Sequence, residues 1–401
     1  MSTPPEAMGT PLAAAAEVRA EVREVIREAC AAIGWVPRHG ADAVAPRHGA
    51  GPGADEAGQR AFYAEVHERG WAVPHWPVAY GGQGRPLSDL LIFHEEAIRY
   101  GAPSQYNRVA IGIAGPALLE FGTQEQKERY LPHIADGSQV WCQGFSEPGA
   151  GSDLAALQTK AKRSEDGWTV NGQKVWTTLG HVADYCLALV RTGATGHWGI
   201  SALVVPMHQP GVTVRPIRQI TGDSDFTEVF FDNAVVASDG VVGDVDAGWR
   251  VAMRALEHER SVNFLERQLR LDDLLADLIR LVQRLEPVAD LRTEAVRLLA
   301  DAAGLRYAVR DYIERFLGGL PADTGINGTK VRWSETYRAV TRLGLRAAQA
   351  LAEPDTIATW SAAYYASLST PIYGGTNEIQ RDIVAERGLG LPRTRGRTRK
   401  E

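Results

Sequence analysis

The sequence predicts an α+β chain of three consecutive domains: helical, then β, then helical. Three observations predict it. Up to about residue 138, apolar residues recur at helical spacing between Gly- and Pro-rich breaks. From Gln139, short β-type runs separated by turn residues take over. After Gly243, long helical patterns run almost to the C-terminus. The boundaries are read at 1–138, 139–242 and 243–393, with a basic tail over 394–401, and a chain of 401 residues has room for such a plan.

In the first domain, Val18, Val22, Val25, Ile26 and Ala29 mark a helix over Ala13–Ala32. Arg38–Gly53, rich in Gly, Pro, His and Ala, reads as loop. Glu56–Arg69 reads as helix, stopped by Gly70. Pro74, Pro77 and Gly81-Gly82 forbid a regular helix over Trp71–Gly84. Helices follow at Leu87–Tyr100 and Asn107–Phe121, the latter interrupted by Gly112, Gly115 and Pro116. Thr123-Gln-Glu-Gln126 is a capping box opening a short helix expected to end near Pro132.

The β runs are Val140–Cys142, Thr169–Val170, Tyr185–Val190, Ala202–Val205, Val212–Val214 and Val229–Phe231. Strands at this spacing suggest a sandwich or barrel of roughly 100 residues. Asn171-Gly172, between Trp168–Val170 and Val175-Trp176, is expected to turn a two-residue hairpin. The last domain reads as four long helices, Trp249–Leu285, Val296–Phe316, Gly328–Leu351 and Thr356–Arg387, the last broken at Pro371 and Gly374-Gly375. Four such helices make a bundle.

Composition narrows function by exclusion. Hydrophobic residues make up 44% and charged residues 23%, and the net charge is −6. That balance offers no general attraction to nucleic acid or an anionic membrane. No run is long enough for a membrane span or a signal peptide, and Glu17, Glu21, Glu24 and Glu28 interrupt the N-terminal region, so a cytoplasmic setting is expected. Cys30, Cys142 and Cys186 are far apart, form no CxxC and suit a reducing compartment; Cys142 is read as a small buried hydrophobe. Walker A, Rossmann G-x-G-x-x-G, G-x-S-x-G and H-x-x-x-H patterns are all missing, so no metal site is expected.

The stretch richest in chemistry is Gln143–Gly180. Q-G-F-S-E-P-G-A-G-S-D is a polar, glycine-rich loop whose hydroxyls and N–H groups suit a phosphate or a polar ring edge. It is followed by N-G-Q-K-V-W-T-T, and a third stretch, I-Y-G-G-T-N-E-I-Q-R, occupies Ile372–Arg381. In order and spacing, these stretches together resemble the acyl-CoA dehydrogenase family, a likeness covering roughly Trp71 to Arg393. The resemblance implies FAD as cofactor. It implies that Gln143, Phe145, Ser146, Gly151, Ser152, Trp176, Thr177, Thr178, Gly375, Thr376, Asn377 and Glu378 hold it. In that reading Ser146 and Thr178 hydrogen-bond the flavin ring and Trp176 packs on it. Ser152 lies between cofactor and substrate, and the 375–378 turn meets the pyrophosphate.

The family reaction removes an α-proton and a β-hydride from an acyl thioester, acyl-CoA to trans-2-enoyl-CoA. Much of the family carries the base as glutamate in a Tyr-x-Gly-Thr turn, where this chain has Gly374. Other members place it on the long helix directly before an arginine, and A-L-E-H-E-R supplies Glu259-Arg260. Glu259 is therefore expected to be the base, with Glu257 as fallback. Arg260 becomes an orienting or CoA-side cation, and Gly374 a backbone N–H donor to the thioester carbonyl. The family's R-x-x-F-G stretch is replaced by S-V-N-F-L-E-R-Q-L-R, and its glycine-rich loop is missing around Ala348–Glu353. Expected partners are an acyl-CoA or carrier-bound acyl thioester, an electron-transfer flavoprotein, and either a second copy (homodimer or homotetramer) or a related subunit. Two other readings use the same fold: a flavin-dependent oxygenase or oxidase, and a non-catalytic subunit of a hetero-oligomeric dehydrogenase.

Overall fold

The computed structural model describes residues 12–44, 54–285, 289–318, 320 and 324–392. Six helices come first: α1 (Leu12–Ala32), α2 (Gly40–Val44), α3 (Ala54–Glu68), α4 (Leu87–Tyr100), α5 (Gly115–Phe121) and α6 (Gln124–Ala135). The reading of 38–53 as loop needs correction at α2, where the N–H groups of Gly40 and Ala41 donate to Asp273 and Asp277 (2.6 and 3.1 Å); residues 45–53 lie outside the described residues. Before α5 the chain makes a π-turn at Ala110–Ala114. The capping box forms as read: Gln126 N donates to Thr123 Oγ1, and Gln126 Oε1 accepts from Thr123 N. Helix α6 runs past Pro132 to Ala135, since one missing N–H near its end does not stop it.

The strands are β1 (Trp141–Gly144), β2 (Lys160–Ser164), β3 (Gly167–Thr178), β4 (Tyr185–Arg191), β5 (Ile200–Pro206), β6 (Val212–Ile217), β7 (Phe226–Ala237) and β8 (Val241–Val242). They form one sheet in the order β6-β7-β3-β2-β4-β5-β8, with β1 parallel to β4. The sheet curls over a core that includes Trp168, Val170, Leu203, Val205, Val229 and Phe231. Asn171-Gly172 does not turn a hairpin. The two-residue turn is Glu165-Asp166, between Ser164 and its partner Gly167. Asn171 and Gly172 instead lie inside β3 opposite a bulge in β7, where Asp232 and Asn233 together face Asn171 between the pairs Val170–Ala234 and Gly172–Phe231. Gly172 has φ +149°, and a Cβ there would lie 2.5 Å from Thr159 Oγ1. The same conformational freedom that suits glycine to a turn suits it to a place opposite this bulge.

The last domain comprises α7 (Gly248–Gln283), α8 (Ala289–Leu317), α9 (Gly325–Leu351), α10 (Pro354–Ser367) and α11 (Asn377–Ile383). Helix α7 organises the molecule. Its 36 residues pack against α8 and α9, and against α4, α5 and β5 of the other two domains. Its first turns enter the N-terminal core through Val251, Ala252 and Ala255, and its second half enters the bundle core through Leu271, Leu274, Leu275 and Leu278. Among the described residues no helix is long and apolar enough to cross a membrane. The tail 394–401 lies outside them.

Candidate active site

The glycine-rich loop is fastened from below. Val175 N donates to Ser146 O at 3.0 Å, joining the loop to β3, and Glu147 and Ala150 exchange backbone hydrogen bonds of 3.1 Å. Beneath them the Glu147 carboxylate accepts from Lys174 Nζ (2.7 Å), Gln158 N (2.6 Å) and Thr159 N (2.9 Å). Lys174, fully buried, also donates to Phe145 O at 3.1 Å. Desolvation pushes the Glu147 carboxyl up, but the Lys174 cation and the N–H donors outweigh it and hold it below the usual range. Desolvation pulls the Lys174 ammonium down. Phe145 is buried and Gln143 half-buried, whereas Gly149, Gly151 and Ser152 form an exposed rim. A Cβ on Gly149 or Gly151 would meet nothing within 4 Å, so the rim leaves open space above it.

Next to this rim, β3 bulges between Lys174 and Thr177 and turns Trp176 outward. Trp176 is 59% exposed and sits at φ +61°, a left-handed conformation that costs a non-glycine residue about 1–2 kcal/mol. Its ring touches Phe226 edge-on, at 6.1 Å between centroids. Thr178 is half-buried. Thr177 is buried, its carbonyl accepts from Thr227 Oγ1 at 3.0 Å, and its own hydroxyl has no partner among the described residues. The strand therefore presents Trp176 and Thr178 and tucks Thr177 beneath them.

The second stretch lies on the bundle. Gly374 and Gly375 adopt φ +65° and +83°. Gln380 Nε2 donates to Gly374 O at 2.8 Å, and a Cβ on Gly375 would lie 2.4 Å from that nitrogen. Gly374 N–H donates to nothing among the described residues. Thr376 Oγ1 caps α11 by accepting from Ile379 N. Asn377 is buried, and its Oδ1 accepts from Lys330 Nζ and Ser334 Oγ, both at 3.0 Å. Burial, and secondarily the nearby Arg267, push the Lys330 ammonium down to about 8. The side chains of Thr376 and Asn377 thus hold the turn itself, while Glu378 is exposed. Arg267 reaches over this turn, its guanidinium 5.4 Å from the Tyr373 ring and 5.0 Å from Trp333. Among the described residues no hydrogen bond or ion pair joins the 143–152 loop to the 374–378 turn.

The side chains of Glu259 and Arg260 lie outside the described residues, but the helix that carries them is described. Its repeat puts position 259 within about 20° of azimuth of Glu266 and Arg270, and position 257 about 180° from Glu266. Glu257 pairs with Arg254 at 2.7 Å, and Arg254 also reaches Glu120, so the fallback base is engaged on the far face.

On the face shared with 259, a cleft opens between α7, α3, α4 and the 102–105 segment. Its walls are apolar, from Phe62, Val66, Phe93 and Ala97, and as it stands it has room for about one water-sized group. Its end is polar: His94 Nδ1 lies 2.7 Å from Glu266 Oε1, and Arg270 Nη2 donates to Ser104 Oγ at 3.0 Å. Glu266 is surrounded by protein yet keeps 26% of its side-chain surface accessible, as a cleft-lining residue does. Desolvation pushes its carboxyl up, but His94, Arg270 and Arg108 prevail and bring it down to about 2. These residues escaped the sequence reading. A signal existed in the i, i+7, i+11 spacing of 259, 266 and 270 along one helix face; nothing in the sequence tied His94 or Ser104 to it.

Comparison with known proteins accounts for the whole layout. Three family models match in chain order: the acyl-CoA dehydrogenase N-terminal domain over residues 12–138, the middle domain over 142–234 and the C-terminal domain over 246–389. Acyl-CoA dehydrogenase IpdE1 of Mycobacterium tuberculosis is 40% identical over 391 residues, covering 94% of this chain and 98% of the relative. Among solved structures, the steroid ACAD Tcur3481-Tcur3483 superposes with a TM-score of 0.81 at 29% identity, over 95% of this chain and 98% of that one. The ChsE4-ChsE5 complex from Mycobacterium tuberculosis gives 0.76 at 30% identity, over 96% and 99%. The chain belongs to the acyl-CoA dehydrogenase family, enzymes that work with FAD.

Proposed function

We propose that this enzyme converts an acyl-CoA to the trans-2-enoyl-CoA with Glu259 as the base that removes the α-proton. The observation that carries the assignment is the azimuth of position 259, which it shares with the cleft residues Glu266 and Arg270, while Glu257 lies opposite and is paired. Gly374 brings no carboxylate to the turn. Its N–H, which has no acceptor among the described residues, is available to the thioester carbonyl and makes the α-proton easier to remove. A site closed to water would favour the uncharged product form of the base. Arg260 serves the CoA side.

The residues present fit the cofactor. Trp176 offers an exposed indole face, Gly149 and Gly151 leave their upper side open, and Ser146 and Thr178 flank the seam between loop and strand. Ser146, Ser152, Trp176 and Thr178 would hold the ring, with Gln143, Phe145, Gly151 and Thr177 shaping the cradle. The turn Gly375, Thr376, Asn377 and Glu378 would meet the pyrophosphate; the Asn377 N–H is taken by Pro371 O at 2.9 Å, so Gly375 and Thr376 would supply the backbone N–H groups. FAD, when bound, supplies the acceptor for the hydride that leaves the β-carbon. The acyl class is proposed from the steroid ACAD relative, and the electron acceptor, an electron-transfer flavoprotein, from the family resemblance.

The test is anaerobic titration of the FAD-loaded enzyme with acyl-CoA thioesters, read as loss of the flavin band. Glu259→Gln is expected to retain FAD and to slow bleaching by about 10²–10⁴-fold. Bleaching at the unaltered rate in Glu259→Gln removes the assignment.

A second chain is also proposed. Val296, Leu299, Tyr307 and Leu317 on α8 are 63%, 41%, 72% and 44% exposed, and the helical repeat gathers them within about 80° of azimuth. Such a stripe marks a protein–protein contact. A copy of this chain or a related subunit covers it, as the two-component ChsE4-ChsE5 relative illustrates. Tyr307→Glu is expected to lower the molar mass in solution by light scattering; an unchanged assembly rules this face out.

A further inference from the structure

We propose that Lys330 supplies the positive charge that the FAD pyrophosphate meets at the 375–378 turn, and that it reaches the turn through Asn377. This deepens the FAD reading of that turn and rests on it. The starting point is a buried cation left single. Lys330 is 2% exposed. Among the described residues its ammonium makes one hydrogen bond, to Asn377 Oδ1 at 3.0 Å, and no ion pair. An ammonium has three N–H donors. Burying one without a counterion is unfavourable, and a neutral side chain would prop Asn377 equally well. The other buried lysine, Lys174, shows the contrast, since it has the Glu147 carboxylate at 2.7 Å.

The turn joined to this lysine has its own open donors. The N–H groups of Gly375 and Thr376 have no acceptor among the described residues. Asn377 links them to the cation: its N–H goes to Pro371 O at 2.9 Å, and its side-chain oxygen accepts from Lys330 Nζ and Ser334 Oγ. Adjacent backbone donors backed by a positive charge suit phosphate oxygens. Among the described residues, the charges acting on the ammonium are Arg267 of α7, which opposes it, and Glu378 of α11, which supports it. Glu378 is exposed and does not neutralise it. On α9 itself, Glu335 is taken by Arg381, and Arg332 by Asp301 of α8. The surrounding protein pushes the Tyr373 phenol up, so it adds no charge. Burial, and then Arg267, bring the ammonium down to about 8, so the free enzyme begins to lose this proton in mildly alkaline solution. A pyrophosphate nearby favours the charged form. FAD binding is therefore tightest below about pH 8 and weakens as pH rises through it, where binding has to draw a proton in.

The experiment strips FAD from the enzyme, kept with any subunit that co-purifies, and titrates it back between about pH 7 and pH 9.5. Flavin fluorescence gives Kd, and calorimetry near pH 8.5 in two buffers of different ionisation enthalpy counts protons. The unaltered enzyme is expected to hold Kd steady to about pH 8 and to lose affinity by on the order of tenfold by pH 9.5. It is expected to take up on the order of half a proton near pH 8.5. Lys330→Met is expected to weaken FAD by on the order of tenfold at pH 7, with no further loss in alkali and no proton uptake. Asn377→Ala, which keeps the charge, is expected to weaken FAD by less and to retain both pH signatures. The proton count of the unaltered enzyme keeps the test valid if Lys330→Met folds poorly. Tight FAD binding with a flat profile and no proton uptake overturns the proposal and leaves the FAD site and the dehydrogenase reading standing. Proton uptake that survives Lys330→Met also overturns it, as does uptake that accompanies CoA added to the FAD-loaded enzyme in place of FAD. Failure to bind FAD at any pH overturns the cofactor reading of the turn along with it.

Discussion

Glu147 and Glu266 are both carboxylates surrounded by protein, each facing a basic side chain at 2.7 Å, yet they serve opposite ends. Around Glu147 everything is closed. The side chains of Lys174 and Glu147 are 0% and 6% exposed, and both carboxylate oxygens accept from named N–H donors. Around Glu266 a quarter of the surface stays open, and Arg270 keeps donors in hand. The difference teaches how to tell a buried charge that is fully spent on the fold from one that keeps contact with solvent. The closed pair fastens the glycine-rich loop to β3 and has nothing left for a ligand. The open cluster has unspent hydrogen-bonding capacity facing a cavity.

The largest effect expected from breaking the comparison is at the closed pair. Lys174→Met leaves Glu147 buried without its cation and is expected to cost about 3–5 kcal/mol in denaturant unfolding, while Glu147→Leu with Lys174→Met recovers much of it. A loss under about 1 kcal/mol would equate the two sites. A smaller effect is expected at Glu266, and only in acid. Its folded pKa, about 2, lies below the ordinary 4.5. Its contribution is therefore complete above pH 4.5 and is withdrawn as pH falls through about 2; the shift is equivalent to at most about 3 kcal/mol. Glu266→Gln is expected to flatten the fall in stability over that window, measured as denaturant midpoint against pH. An equally steep fall would show that Glu266 is not the group responsible. The smallest effect is expected from Arg270→Gln, under about 1 kcal/mol in stability at neutral pH by the same denaturant unfolding.

How much of this was legible in the sequence depends on whether a feature is local. Thr123-Gln-Glu-Gln126 could be read because a capping box lies within one turn of chain. Leu87–Tyr100 could be read because Pro86 precedes it and Gly101 ends it in the left-handed region. Asn171-Gly172 misled because glycine's freedom serves a strand opposite a bulge as well as a turn, and the choice was made by Thr159 and Asn233, remote in sequence. At the candidate site, the glycine-rich loop and the 373–378 turn were visible as contiguous motifs. The cleft end was not, since His94, Ser104 and Arg270 meet only when α4 packs on α7. Nor did the sequence reveal that the side chains of Thr376 and Asn377 serve the turn itself.

The placement of the sulfur atoms has a practical consequence. Cys30 lies in the N-terminal helical core, and Cys142 and Cys186 are aligned on the paired strands β1 and β4; all three have no accessible surface. Burial pushes the Cys30 thiol up to about 12, and the contact with Cys186 together with burial pushes the Cys142 thiol up, so neither is a thiolate near neutral pH. The remaining helices hold no cysteine at all. The native enzyme is thus silent to alkylating dyes, and each thiol that becomes labelled names the part that has opened: Cys30 the first domain, Cys142 or Cys186 the sheet. The chain carries its own two-channel reporter of partial unfolding, and a single cysteine introduced on the bundle would add the third.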